Sequence, residues 1–245
     1  MTLPIGLQLY TVRDLLTGDQ LGDTCKKLAE VGYTHAEVGP FSGHSTEAVT
    51  KAARDAGMTV VGSHEGSLIG DDANDTLKML GDLGIRHAIQ PYLPDEHRTA
   101  DGYRKVAKTL EKVANFDGLS VLYHNHDWEF DTVDGDHTGY DLLIMDTGLG
   151  AELDTCWVSV AGRNPTQLMK RLSGRLPLIH VKDCSDFEKK TLCELGDGKV
   201  PVKEIVATAS QCGVECLVVE QDNSWMNDDP MASAKKSFDY LKSVL

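Results

Sequence analysis

Residues Val121 to Phe130 read VLYHNHDWEF. Val121, Leu122, Tyr123 and His124 have strand character and run straight into Asn125, His126, Asp127, Trp128 and Glu129. A plain turn is built from Gly, Pro, Asn, Asp or Ser, so two histidines and two carboxylates packed behind a strand are more than a turn requires. The stretch predicts a strand whose C-terminal end carries chemistry. The fold then depends on whether other strands end in the same way.

Working outward, the same unit recurs on both sides. Ile5 to Tyr10 reads as a short strand, and Leu21, Cys25, Leu28 and Ala29 fall at helical spacing between Asp19 and Val31, with Gly32 as the stop. His35 to Gly39 and Thr59 to His64 read as the next strands, each followed by a helix that a glycine ends, Thr46 to Ala56 and Asp72 to Leu83. His87 to Tyr92 and Ala100 to Asn115 make the fourth pair.

After the fifth strand, Leu119 to His124, come a weak helix at Tyr140 to Asp146, a strand at Ala151 to Asp154 and a helix at Pro165 to Leu172. A strand at Leu178 to Lys182, a polar loop to Lys199 and a helix at Val202 to Cys212 follow. A strand at Glu215 to Glu220 and a helix at Met231 to Val244 close the pattern. Alternating strands and helices imply a parallel sheet. Eight pairs of about 31 residues match the length of a closed (β/α)8 TIM barrel, an α/β fold. The competing open doubly wound sheet usually carries a glycine-rich phosphate loop after its first strand, where this chain has QLYTVRD. No Pro/Ser linker interrupts the rhythm, so residues 1–245 read as one domain.

The totals narrow the function classes. The 24 basic and 38 acidic residues leave a net charge of -14, which repels nucleic-acid phosphates and anionic lipid in the absence of a basic run. The expected partner is a small molecule, with no nucleic acid and no membrane, and a homo-oligomer is compatible with the sequence. No CxxC pair occurs among the six cysteines, and the N-terminal residues lack the basic and apolar segments of a signal peptide. Reduced thiols in a cytoplasmic protein are the expectation.

A barrel collects its active site at the C-terminal ends of its strands. Those ends carry Gln8 and Tyr10; Glu37; His64 and Glu65; Gln90 and Tyr92; His124 and His126; Asp154 and Trp157; His180, Lys182 and Asp183; and Glu220 and Asp222. Taken singly, His180 could be a capping residue and Asp154 could bond the backbone of a turn. Glu220 follows the apolar run Cys216 to Val219 and would be costly to bury without a partner. Taken together, His124, Asp154, His180 and Glu220 offer two imidazoles and two carboxylates for one divalent metal ion, Mn, Co, Zn or Mg.

The pieces GLQLYTVRD, YHNHDWEF, ELDTCW, HVKD and VVEQD, in this order and spacing, resemble the xylose isomerase-like TIM barrels, which include sugar phosphate isomerases and epimerases, ketose 3-epimerases and inosose dehydratase. The resemblance covers essentially the whole chain. It implies one metal ion held after strands five to eight, at positions matching His124, Asp154, His180 and Glu220. The ketose epimerases have a glutamate at the fifth-strand position, and their two metal-bound glutamates serve as acid and base. His124 stands there in this chain, a change that resembles the inosose dehydratase branch and relatives acting on keto-glycosides, where a histidine-rich segment follows the same strand.

The expected chemistry is removal of a proton beside a sugar or cyclitol carbonyl, with the ion stabilising an enediolate. Glu220 is the expected base, and His126, Glu129 or Glu37 the partner that returns the proton. Reprotonation gives isomerisation or epimerisation, and loss of a β-hydroxyl or β-glycosyl group gives dehydration or elimination. Tyr10, Tyr92, Trp128 and Trp157 are candidate stacking faces, and Gln8, Gln90, His64 and Lys182 candidate hydroxyl contacts. Residues 193–201, CELGDGKVP, read as a lid or as an ordinary long loop. A metal-dependent repair nuclease of the endonuclease IV type and a non-catalytic sugar-binding barrel are the rival classes.

Overall fold

The computed structural model describes residues 2–245. Eight parallel strands form the frame: β1 Ile5–Gln8, β2 His35–Val38, β3 Thr59–His64, β4 His87–Gln90, β5 Leu119–His124, β6 Gly150–Asp154, β7 Leu178–Val181 and β8 Cys216–Val219. Each pairs with its sequence neighbour, β8 pairs with β1, and β4 pairs with β5 through His87 to Ser120 and Gln90 to Tyr123. The sheet therefore closes on itself as a (β/α)8 barrel.

The helices that cover it form for local reasons. In the helix Ala100–Glu111 the buried residues Tyr103, Val106, Ala107 and Leu110 recur at the spacing of one helical face. Thr99 caps its start by accepting a hydrogen bond from Gly102 N at 3.2 Å. Each large apolar side chain removed from water in this way contributes about 1.5–3 kcal/mol. Gly32 ends the helix Leu21–Val31 at φ 123°, and a Cβ there would lie 2.5 Å from the Phe238 ring. A side chain at this position is excluded both by backbone conformation and by packing.

A small apolar cluster of Val61, Ile89, Leu122, Leu178, Cys216 and Val218 stands apart from the main core. Leu122, Leu178 and Val218 lie two residues before His124, His180 and Glu220, and side chains two apart share one face of a strand. An apolar plug thus fills the barrel interior and a polar layer rests on it.

Three expected segments differ. The weak helix at 140–146 is a single π turn, Asp141–Met145. The polar loop after β7 holds an antiparallel pair, Asp183–Asp186 with Thr191–Cys193. A short helix, Thr155–Val160, follows β6 directly because Asp154 Oδ1 accepts from Cys156 N and Trp157 N, both at 2.9 Å, and caps it. The six cysteines are free among the described residues, and no helix there is long and apolar enough to cross a membrane.

Candidate metal centre and cavity

The last residues of β5 to β8 bring His124, Asp154, His180 and Glu220 together, with one ligand atom of each within 4.8 Å of all the others. All four are buried. Because Asp154 Oδ1 caps a helix, Oδ2 is left free of the backbone, buried 3.8 Å from His124 Nε2 and 3.1 Å from Lys182 Nζ. Two imidazole nitrogens and two carboxylate oxygens at this spacing fit a divalent ion.

A second group lies beneath the first. Glu152 Oε2 sits 2.7 Å from His64 Nε2, 3.1 Å from His124 Nδ1 and 3.2 Å from His180 Nε2. Glu37 Oε2 sits 2.7 Å from His180 Nε2, 3.0 Å from His64 Nε2 and 2.6 Å from Gln8 Nε2. His124 and His180 therefore each face the upper carboxylates with one ring nitrogen and the lower carboxylates with the other, since His180 Nδ1 lies 2.8 Å from Glu220 Oε2. Carboxylates behind ligand imidazoles fix the ring and raise its basicity. His64, His124, Glu152 and His180 also form a second set with metal-ligand spacing.

Strand stagger builds this arrangement. His124 is registered with Glu152, and His180 with Asp154, so two successive inward residues of β6 serve two tiers. Glu152 escapes a reading confined to the last residue of each strand. The two-residue period back from Asp154 is the signal that points to it.

Lys182 stands among the upper carboxylates. Its Nζ lies 2.6 Å from Glu220 Oε2, 3.0 Å from Asp222 Oδ2 and 3.1 Å from Asp154 Oδ2. Burial opposes the charged ammonium, but Asp154, Asp222 and Glu220 prevail and hold its pKa well above the usual range. Burial likewise works against ionised Glu220, yet Lys182 and His180 hold it well below the usual carboxylate range. His124 is driven well below the usual histidine value by burial and by its histidine neighbours. For His64, burial is outweighed by Glu37 and Glu152, which raise it to about 10. Burial and then Lys182 lower His126 to about 3, so its imidazole is neutral.

Above these groups opens a cavity of about 400 Å³, lined on its polar side by His64, His124, His126, Lys182, Glu220 and Asp222. Tyr10, Phe41, Tyr92 and Trp128 form the other side with Pro40 and Pro91. The Trp128 ring stacks on His126 at 4.1 Å and carries the Arg98 guanidinium on its other face at 3.9 Å.

Several expected residues lie elsewhere. Glu129 is fully buried away from the cavity and accepts from Tyr123 Oη at 2.6 Å and His126 N at 2.8 Å. Burial pushes its carboxyl up to about 7 against these two donors. Gln8 and Glu37 are enclosed in the lower group, and Gln90 donates to Tyr92 O at 2.8 Å. Trp157 lies beneath the lining, with Lys182 Nζ 5.6 Å from its ring centre. Asp222, named only as a strand end, and the unforeseen Phe41 line the cavity.

Residues 193–201 do not line the cavity and are held by hydrogen bonds away from it. Asp183 Oδ2 accepts from Gly196 N at 2.9 Å and Gly198 N at 3.1 Å, while Oδ1 accepts from Val200 N at 3.0 Å and Cys184 N at 2.8 Å. Glu194 Oε1 accepts from Ser233 Oγ at 2.6 Å and Met226 N at 3.0 Å. Both carboxylates pin the loop to the barrel.

Residues 25–244 match the family described as "Xylose isomerase-like TIM barrel". A solved sugar phosphate isomerase/epimerase from Parabacteroides distasonis superposes with a TM-score of 0.79 at 24% identity, covering 97% of each chain. A structure described as the probable 3-DHS dehydratase AsbF of Bacillus anthracis gives 0.70 at 15% identity, over 98% of this chain and 99% of that one. Among curated proteins, "Probable endonuclease 4" of Mycobacterium leprae is 26% identical over 147 residues, 53% of this chain and 55% of that protein. The chain thus spans about half the length of that relative.

Proposed function

The chain belongs to the xylose isomerase-like TIM barrels, and from that premise we propose that it is a divalent-metal-dependent isomerase or epimerase acting on a ketose or keto-sugar through an enediolate. What carries this reading is the convergence of His124, Asp154, His180 and Glu220 within 4.8 Å at the floor of a ring-lined cavity. Mn, Co, Zn or Mg held by these four residues would supply Lewis-acid polarisation of a carbonyl and its neighbouring hydroxyl.

The remaining work falls to side chains. Glu220 stays ionised beside Lys182 and His180 and is the proton acceptor at the carbon next to the carbonyl. Lys182 and His64 face the cavity and orient substrate hydroxyls. His126 lines the cavity, and its neutral imidazole is the candidate to exchange a proton on a second substrate atom. Glu129 holds the His126 backbone in place from behind. Tyr10, Tyr92 and Trp128 exclude water from the polar floor and offer faces to sugar C–H groups.

A second reading is a dehydratase or lyase acting on an inosose or 3-keto-glycoside. His124 supplies an imidazole where a second ligand glutamate would otherwise act, which leaves the second proton to neutral His126. That arrangement serves loss of a β-hydroxyl or β-glycosyl group as well as reprotonation. In both readings the partner is a small sugar or cyclitol, and the net charge of -14 argues against nucleic acid. Metal analysis followed by incubation in heavy water with ketoses, inososes and 3-keto-glycosides tests the proposal. Metal-dependent deuterium incorporation, abolished by Asp154→Ala or Glu220→Ala, is the expected result. Full exchange in either variant, or in metal-free protein, overturns it.

A further inference from the structure

We infer that the cavity takes an unphosphorylated, uncharged substrate of at least two rings, with one sugar ring on the polar floor and a second neutral ring against the aromatic rim. This rests on the sugar-site reading above and narrows its substrate class.

The first support is that the barrel's customary phosphate devices are already occupied. TIM barrels commonly bind phosphate with backbone N–H groups of the loops after strands seven and eight and a nearby helix N-terminus. Here the glycine-rich loop after β7 turns its Gly196, Gly198 and Val200 N–H groups onto the chain's own Asp183 carboxylate. Asp183 is 1% exposed, so an incoming phosphate would have to displace a buried internal anion. After β8, Met226 N donates to Glu194 and Ser233. The next helix, Pro230–Val244, starts at Asp229, whose carboxylate accepts from Met231 N and Ala232 N. Aspartate likewise caps the helix after β6.

The second support is the absence of a free cation. Among the described residues lining the cavity Lys182 is the one lysine or arginine, and three carboxylates surround it. His64 is held between Glu37 and Glu152. The arginines behind the rim are also committed: Arg13 donates to Tyr10 O and Asp222 O, and Arg98 donates to Leu93 O and pairs with Asp95 at 2.8 Å. Glu220 and Asp222 face the cavity and would repel a phosphate.

The third support is the rim. Tyr10 and Tyr92, at 40% and 47% exposure, are two of the three large exposed hydrophobic residues among those described, and both stand at this cavity. Phe41 packs edge-on to Tyr10 at 5.8 Å, so aromatic rings adjoin one another in the same cavity that Glu220 lines. An apolar rim of this kind matches a further sugar or an aromatic aglycone, and the guanidinium groups stacked on it, Arg13 over Tyr10 at 4.1 Å and Arg98 over Trp128 at 3.9 Å, are committed as described above.

The test is calorimetric binding to metal-loaded protein of four probes: glucose, glucose 6-phosphate, cellobiose and phenyl β-D-glucoside. At least one two-ring probe should bind five or more times tighter than glucose, and glucose 6-phosphate no tighter than glucose. Tyr92→Ala, at an exposed position that leaves the fold intact, should cut the two-ring advantage at least threefold. Preference for glucose 6-phosphate over glucose, a two-ring advantage below fivefold, or an advantage that Tyr92→Ala leaves unchanged overturns the inference while the sugar site stands. Failure of every probe to bind while metal-dependent deuterium exchange into the keto-sugars persists overturns the inference alone, and failure of both overturns the sugar site and the inference with it.

Discussion

Glu152 shows how much a single carboxylate can do without touching the cavity. Its Oε2 lies 3.1 Å from His124 Nδ1 and 3.2 Å from His180 Nε2, behind both proposed ligand imidazoles. Glu152→Gln keeps the size and removes the charge, and metal affinity should fall about 10- to 100-fold, read by competition with a chromophoric chelator. Glu129 bears on stability instead. Its carboxyl ordinarily titrates near 4.5 and is pushed up to about 7 in the folded chain by burial. Between those values the folded chain holds a proton that the unfolded chain has released, so stability falls as pH rises through the window, by up to about 3 kcal/mol. Glu129→Gln should therefore gain on the parent protein between pH 5 and pH 8 in urea denaturation. A difference that does not move with pH would show that Glu129 ionises normally. Sequence alone named both His126 and Glu129, but only His126 faces the cavity, because the hydrogen bonds from Tyr123 and His126 hold Glu129 behind the wall.

At the scale of elements, the strands and most helices were legible because apolar runs alternate with helical spacing and glycine stops. The helix Thr155–Val160 was not, since TCWVSV is rich in β-branched and aromatic residues of weak helix propensity. It forms because Asp154 caps it and Val158 packs in the core. The pair Asp183–Asp186 with Thr191–Cys193 was hidden for the opposite reason, as Asp183, Ser185 and Asp186 rarely favour strands and each strand is only three or four residues long. What fastens this region is Asp183, which takes four backbone N–H groups. Asp183→Ala strands those donors and should cost at least about 3 kcal/mol in a denaturant midpoint series. Asp183→Asn, which keeps one acceptor oxygen, should cost less.

For the whole molecule, the closed barrel followed from the count of strand and helix pairs, and the strand-end rule led to the residues gathered at its C-terminal face. Of the lower tier, Gln8, Glu37 and His64 were named as strand ends, but Glu152 and the pairing among them stayed out of reach because registry between strands decides it, and registry is not written in any one segment. If an ion binds the folded chain and not the unfolded one, stripping it with a chelator lowers stability by about 2.7 kcal/mol when the ion had been at a hundred times its dissociation constant. A melting scan with and without chelator measures this. Lys182 bears on how large the drop becomes, because its ammonium lies within 3.1 Å of Asp154, Glu220 and Asp222. The chain carries its own counter-ion among these carboxylates, so part of their charge is balanced inside the fold whether or not a metal is bound. In Lys182→Met that internal balance is lost, and the chelator-induced drop in melting temperature should be larger than in the parent protein.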